Sequence, residues 1–180
     1  MTLPGMTLHW VNVDLLTTEY RLVGKTLVSS SGLYGVLIDQ TKSFLEVRQA
    51  QIAYVRSPTR VVRRFESASI VKDHIYVACL ERAEFVGPQV TSRRGYSSRR
   101  NIPLHMAFAG YEMECQVEWA GRFELAGFLA GCASKFLQVN DVMINSSIID
   151  GFSIETPTAL VNINRLDLVA LLPSAEVQTK

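Results

Sequence analysis

GVLIDQTKSFLEV, residues 35–47, lies over GFLAGCASKFLQV, residues 127–139, at a constant offset of 92. Gly35, Leu37, Phe44, Leu45 and Val47 recur as Gly127, Leu129, Phe136, Leu137 and Val139. The same offset sets Ile52 on Ile144, and Val77, Ala78 and Leu80 on Val169, Ala170 and Leu172. One offset serving three separated places identifies an internal duplication, and a repeat of this kind constrains the architecture before any single element does.

Upstream the match shifts by one residue and sets YRLVGKTLV, 20–28, beside YEMECQVEW, 111–119. The second copy alternates strictly: Tyr111, Met113, Cys115, Val117 and Trp119 fall on one face, Glu112, Glu114, Gln116 and Glu118 on the other. A period of two with one apolar face is a half-buried β-strand. Its counterpart places Tyr20, Leu22, Gly24, Thr26 and Val28 inward. Runs rich in β-branched and aromatic residues, bounded by Gly, Pro, Ser, Asn and Asp, extend this reading. They predict strands over 20–28, 34–38, 44–55, 60–71 and 75–81, then 111–119, 125–130, 136–145, 158–163 and 167–172, with a break around Gly151 and Pro157. FELAGFLAGCASKFL has some helical periodicity, but its small residues and the repeat alignment assign it to strand and turn.

About 60 residues with five strands are too few for a sandwich. Closure into a small barrel removes most of the unpaired edge. The expected fold class is therefore all-β, with two tandem five-stranded small barrels. Residues 1–17 form an N-terminal arm or extra strand, 18–84 the first barrel, 85–108 an Arg/Ser-rich linker, 109–173 the second barrel and 174–180 a polar tail. In the arm Met6, Leu8 and Trp10 alternate, which suits a strand added to its own barrel or to a neighbouring subunit.

Five short strands with a tight turn before the last, as in VKDHIYVACL, resemble the Sm-like or SH3-like small β-barrels. The repeated FLEV or FLQV strand, followed by VKDHIYVA or INRLDLVALL, resembles bacterial proteins of unknown function. The Sm-like resemblance implies self-association through open barrel edges. It does not imply RNA binding, because the RNA-binding signature near the last two strands is missing. The basic segment before a barrel also resembles PilZ domains, which bind a cyclic dinucleotide through an RxxxR arm and a D/NxSxxG strand. Here Arg94 and Arg99 are five apart and no D/NxSxxG follows.

Charge is distributed unevenly although the net is only +1. Residues up to 90 carry 10 basic and 8 acidic side chains, 91–103 carry 4 and 0, and the remainder 4 and 9. The positive centre is TSRRGYSSRRNIP, 91–103, where Arg93, Arg94, Arg99 and Arg100 flank Tyr96. Arginine with an interleaved aromatic suits phosphate pairing and base stacking. Four charges in a nearly neutral chain favour instead docking on an acidic face of a neighbour, with Glu112, Glu114 and Glu118 as that face. Arg60, Arg63 and Arg64 add a second basic group within one strand.

Catalytic, cofactor-binding and metal residues are not expected. His9, His74 and His105 lack metal-ligand spacing, and Cys79, Cys115 and Cys132 form no CxxC. No GxSxG is present, and Glu46, Asp39 and Asp73 align with Gln138, Gly131 and Arg165, so the duplication keeps no acid in both copies. Three thiols among apolar neighbours, no basic leader and no long apolar run lead to the expectation of a cytoplasmic, cofactor-free homo-oligomer with no membrane span. A structural or scaffold protein is the functional expectation. An RNA-binding or nucleotide-messenger module using the arginine segment is the alternative.

Overall fold

The computed structural model describes residues 7–88, 99–132 and 134–173. Ten antiparallel strands form one continuous open sheet in the order β10-β6-β7-β8-β9-β5-β1-β2-β3-β4. They are β1 (His9–Leu16), β2 (Tyr20–Val28), β3 (Phe44–Tyr54), β4 (Val61–Val71), β5 (Val77–Leu80), β6 (Arg99–Phe108), β7 (Tyr111–Ala120), β8 (Phe136–Ser146), β9 (Ser153–Asn162) and β10 (Leu168–Leu171). Two short helices, α1 (Gly32–Ile38) and α2 (Leu125–Ala130), and three 3-10 turns complete the described chain.

The order repeats. Fifth, first, second, third and fourth strands follow one another as β5-β1-β2-β3-β4 in one unit and β10-β6-β7-β8-β9 in the other. The duplication extends to irregularities of the backbone. Register slips between Val23 and Lys25 of β2 and between Glu114 and Gln116 of β7, and the facing residues Gln49 and Asp141 both take positive φ, 51° and 49°. These are equivalent β-bulges, which sharpen the bend of a strand pair. Gly24 sits opposite the first bulge because an added Cβ there would come 2.5 Å from Val47 Cγ1 and 2.7 Å from the Arg48 carbonyl.

All-β character is as expected, but two closed barrels are not what the chain forms. The far edge of β5 pairs with β9 of the other unit, from Val77↔Val161 to Leu80↔Thr158, and the two units merge into one sheet. The first strand of each unit lies in the segments expected to be arm and linker. β1 pairs with its own β2 and β5, with Val11, Val13 and Leu15 buried, whereas Leu8 and Trp10 are exposed. β6 begins at Arg99 and buries Leu104, Met106 and Phe108; the arginines and Pro103 hide that alternation in the sequence.

Residues 34–38, which lie in α1, and 125–130, both expected as strand, are helical. Leu33 and Leu37 are four apart, a spacing that satisfies a period of two and one helical turn equally well. Pro157 lies inside β9 rather than breaking it. It faces the Asp141 bulge between the pairs Asn140↔Thr158 and Val142↔Thr156, and β5 pairs only from Thr158 onward, so no ladder donor is required of it. The last strand also superposes one residue away from the sequence alignment. Leu15↔Ala78 corresponds to Met106↔Val169, which sets Ala78 on Val169 and Leu80 on Leu171.

Two cores lie on either side of the β5·β9 seam. Val77 and Cys79 of β5 enter the core of the second unit, while Ala78 and Leu80 enter that of the first. Leu160 of β9 and Phe136 of β8 in turn pack into the first unit's core, among Leu33, Leu37 and Leu45. A strand buried on both faces reads as an unbroken apolar run, and VACL is one. Because Phe136 belongs to one unit and packs in the other, Phe136→Ala is expected to cost about 3–5 kcal/mol. Denaturant unfolding will measure it, and hydrogen exchange should show the lost protection in β1 and β3 as well as in β8.

Candidate assembly interface

The charged residues singled out in the sequence separate in the structure. Arg93, Arg94 and Tyr96 lie outside the described residues. Arg99 and Arg100 open β6, where Arg99 Nη1 donates to Glu118 Oε2 at 3.1 Å and Arg100 Nη2 donates to the Gly121 carbonyl at 3.2 Å. The Arg99–Glu118 contact lies within the chain, whereas the docking expected was onto a neighbour. Both partners of the Arg99–Glu118 pair are more than half exposed, so it contributes at most about 1 kcal/mol. Glu112 and Glu114 stand exposed on the outer face of β7. Arg63 and Arg64 are exposed on β4, the outermost strand of the first unit, and Arg60 just precedes it.

The sequence did not single out the polar groups that fasten the seam. Asn162 is fully buried; its backbone N–H donates to the Tyr76 carbonyl at 2.8 Å and its Nδ2 to the Ile75 carbonyl at 3.0 Å. Arg165 Nε donates to the Asp73 carbonyl at 2.9 Å, and Lys135 Nζ pairs with the Asp73 carboxylate. That pairing holds the Asp73 carboxyl below the usual carboxylate range. Asp73 and Arg165 align as equivalent positions of the two units' turns, and nothing local marks residues that meet only across the seam.

The two outer edges of the sheet, β4 and β10, are the repeat counterparts of the seam strands β9 and β5. What the seam buries, the edges leave open. Phe136 is 2% exposed and its counterpart Phe44 56%; Leu37 is 4% exposed and Leu129 37%; Val77 is 0% exposed and Leu168 51%; Leu80 is 1% exposed and Leu171 49%. The run LVAL of β10 is as apolar as the doubly covered VACL, yet among the described residues it pairs with β6 alone.

The thiols are of another kind. Burial pushes Cys115 up to about 12 and raises Cys79 further, while Cys132, half-buried at the end of α2, is raised as well. Among the described residues no group of three or more His, Cys, Asp or Glu lies together as a metal site would, and no helix is long and apolar enough to cross a membrane. No protein-family model, curated protein or solved structure matches the chain. Since the thiolate is the reactive form, Cys79 and Cys115 are expected to react with a thiol reagent at pH 8 roughly 100-fold or more slower than an unburied thiol. Cys132 should label first, as read by mass shift on the native protein, with the other two following only on unfolding.

Proposed function

We propose that this protein is a structural component that assembles with further copies of itself through its open sheet edges. The observation that carries the reading is β10: four apolar residues at a sheet edge, with Leu168 and Leu171 about half exposed, whose counterparts in β5 are all buried between β1 and β9. A flat apolar strand edge left bare is a template for uncontrolled pairing, and proteins that retain one ordinarily cover it. The shared strand order and the 3-10 turn before each fifth strand support the resemblance of each unit to an Sm-like small barrel, opened so that its edge strands pair outward. Exposed Glu112 and Glu114 and the basic strand β4 supply complementary charge around these edges.

The reading is tested by native mass in low and high salt, with absorbance at 260 and 280 nm on the same peak. A discrete multiple of the chain mass, free of nucleic acid and largely retained in high salt, is expected, because apolar and backbone pairing is not screened. A single-chain mass sinks the proposal. Co-purifying nucleic acid that leaves as salt rises would favour the arginine segment as a binding module for RNA or a nucleotide.

A further inference from the structure

We infer that the outer face of the first unit in one copy docks on the outer face of the second unit in another, because these equivalent faces carry opposite charge. The surface is not the sheet edge, so the inference goes beyond the edge reading and does not depend on it. Residues directly opposite in an antiparallel pair share a face. On the first unit Lys25 lies opposite Arg48, and the row Val23↔Gln51↔Arg64 runs beside them. On the second unit the row Glu114↔Met143↔Glu155 runs beside the pair Glu112↔Asn145. All of these charged side chains are exposed, on strands whose alternate residues fill the cores.

The reversal is position by position. Leu15↔Leu22 corresponds to Met106↔Met113, and the register of β2 and of β7 slips at the same place. Arg21, Lys25, Arg48 and Arg64 of the first face are thereby set on Glu112, Gln116, Asn140 and Glu155 of the second. Arg21 is neutralised in place by Asp14 at 2.6 Å, and Glu46 lies 3.3 Å from Arg48, so the first face keeps an excess of positive charge from Lys25 and Arg64. Arg99 offsets Glu118 at 3.1 Å, and Glu112, Glu114 and Glu155 keep the second face negative.

Complementary charge selects the partner. Like faces repel, so the contact is heterologous, first unit to second. Among the described residues no ion pair joins the two faces within the chain, and their meeting therefore requires a second copy. Each face also offers apolar surface beside its charges. Trp10, 45% exposed, lies opposite Leu27 and holds the Arg48 guanidinium 5.1 Å from its ring, while Met143 is 41% exposed between Glu114 and Glu155. Tryptophan and arginine are the side chains on which binding energy concentrates at an interface. A net charge of only +1 means that copies do not repel one another as wholes.

The experiment follows the native mass of the full chain from about 0.01 M to about 1 M salt, over which the screening length falls from about 30 Å to about 3 Å. The unmodified protein is expected to be larger at low salt and to fall back at high salt to the particle that the edges hold. One variant carries Lys25→Glu, Arg48→Glu and Arg64→Glu, and another Glu112→Lys, Glu114→Lys and Glu155→Lys, all at exposed positions, with circular dichroism reporting the fold. Each variant alone is expected to lose the low-salt increase. Mixed in equal amounts they are expected to regain it, since one then has only acidic faces and the other only basic ones, and a folding defect is not repaired by mixing. Where a triple variant does not fold, Arg64→Glu and Glu155→Lys singly carry the same test. A mass that is equal at low and high salt overturns the inference while leaving the edge reading standing, and so does a mixture that fails to regain the increase. A low-salt multimer that falls to single chains at high salt upholds this inference and sinks the edge reading. Binding of a labelled oligonucleotide that the Arg48→Glu variant abolishes, with no low-salt increase in mass, assigns the basic face to nucleic acid and overturns the docking of copies.

Discussion

The structure depends on one short antiparallel pairing, β5 with β9, in which four residue pairs join the two units. Both strands of this seam have cores on each side. Val77 and Cys79 point one way and Ala78 and Leu80 the other, so neither unit has a complete core without the other's strand. Burying four adjacent apolar side chains, together with Leu160 and Phe136, gives the seam a hydrophobic contribution that surface ion pairs of this chain do not approach. Asn162 then satisfies the Ile75 carbonyl, which the seam would otherwise strand, while Arg165 and Lys135 add exposed contacts to Asp73.

This arrangement explains why two duplicated units share one sheet rather than closing separately. A short fifth strand can cover the open end of its own unit or be covered by a neighbour, and here the neighbour's fourth strand does the covering. The duplication then fixes what remains. One fifth strand and one fourth strand form the seam, and their counterparts β10 and β4 are left at the ends, with Leu168 and Leu171 of β10 and Phe44 at the start of the adjoining β3 exposed. The differences are as informative as the likenesses. Polar locks are concentrated at the seam, which is permanent within the chain, and are thinned at the edges.

The described part of the arginine segment that dominates the charge pattern makes contacts within the chain. Arg99 and Arg100 are already engaged by Glu118 and by the Gly121 carbonyl at the head of β6. Glu112 and Glu114, on the same face as Glu118, stand exposed on β7, and Arg63 and Arg64 stand exposed on the edge strand β4.

The duplication and most of the strands were legible because a half-buried strand imposes alternation on its own residues, as Tyr111, Met113, Cys115 and Val117 show. The two helices were not, since Leu33, Gly35 and Leu37 alternate as a strand would while Leu33 and Leu37 also lie one turn apart. β6 was hidden because only its second half alternates cleanly. The seam itself was beyond the sequence for a different reason. Backbone hydrogen bonds between edge strands carry no side-chain signature, and Val77 and Val161, from different units, meet only in the tertiary structure. The sequence by itself determined that the chain is an all-β protein with alternating strands. Only the tertiary structure decided which edges meet, because that choice is made by the covering of two cores at once rather than by any local pattern.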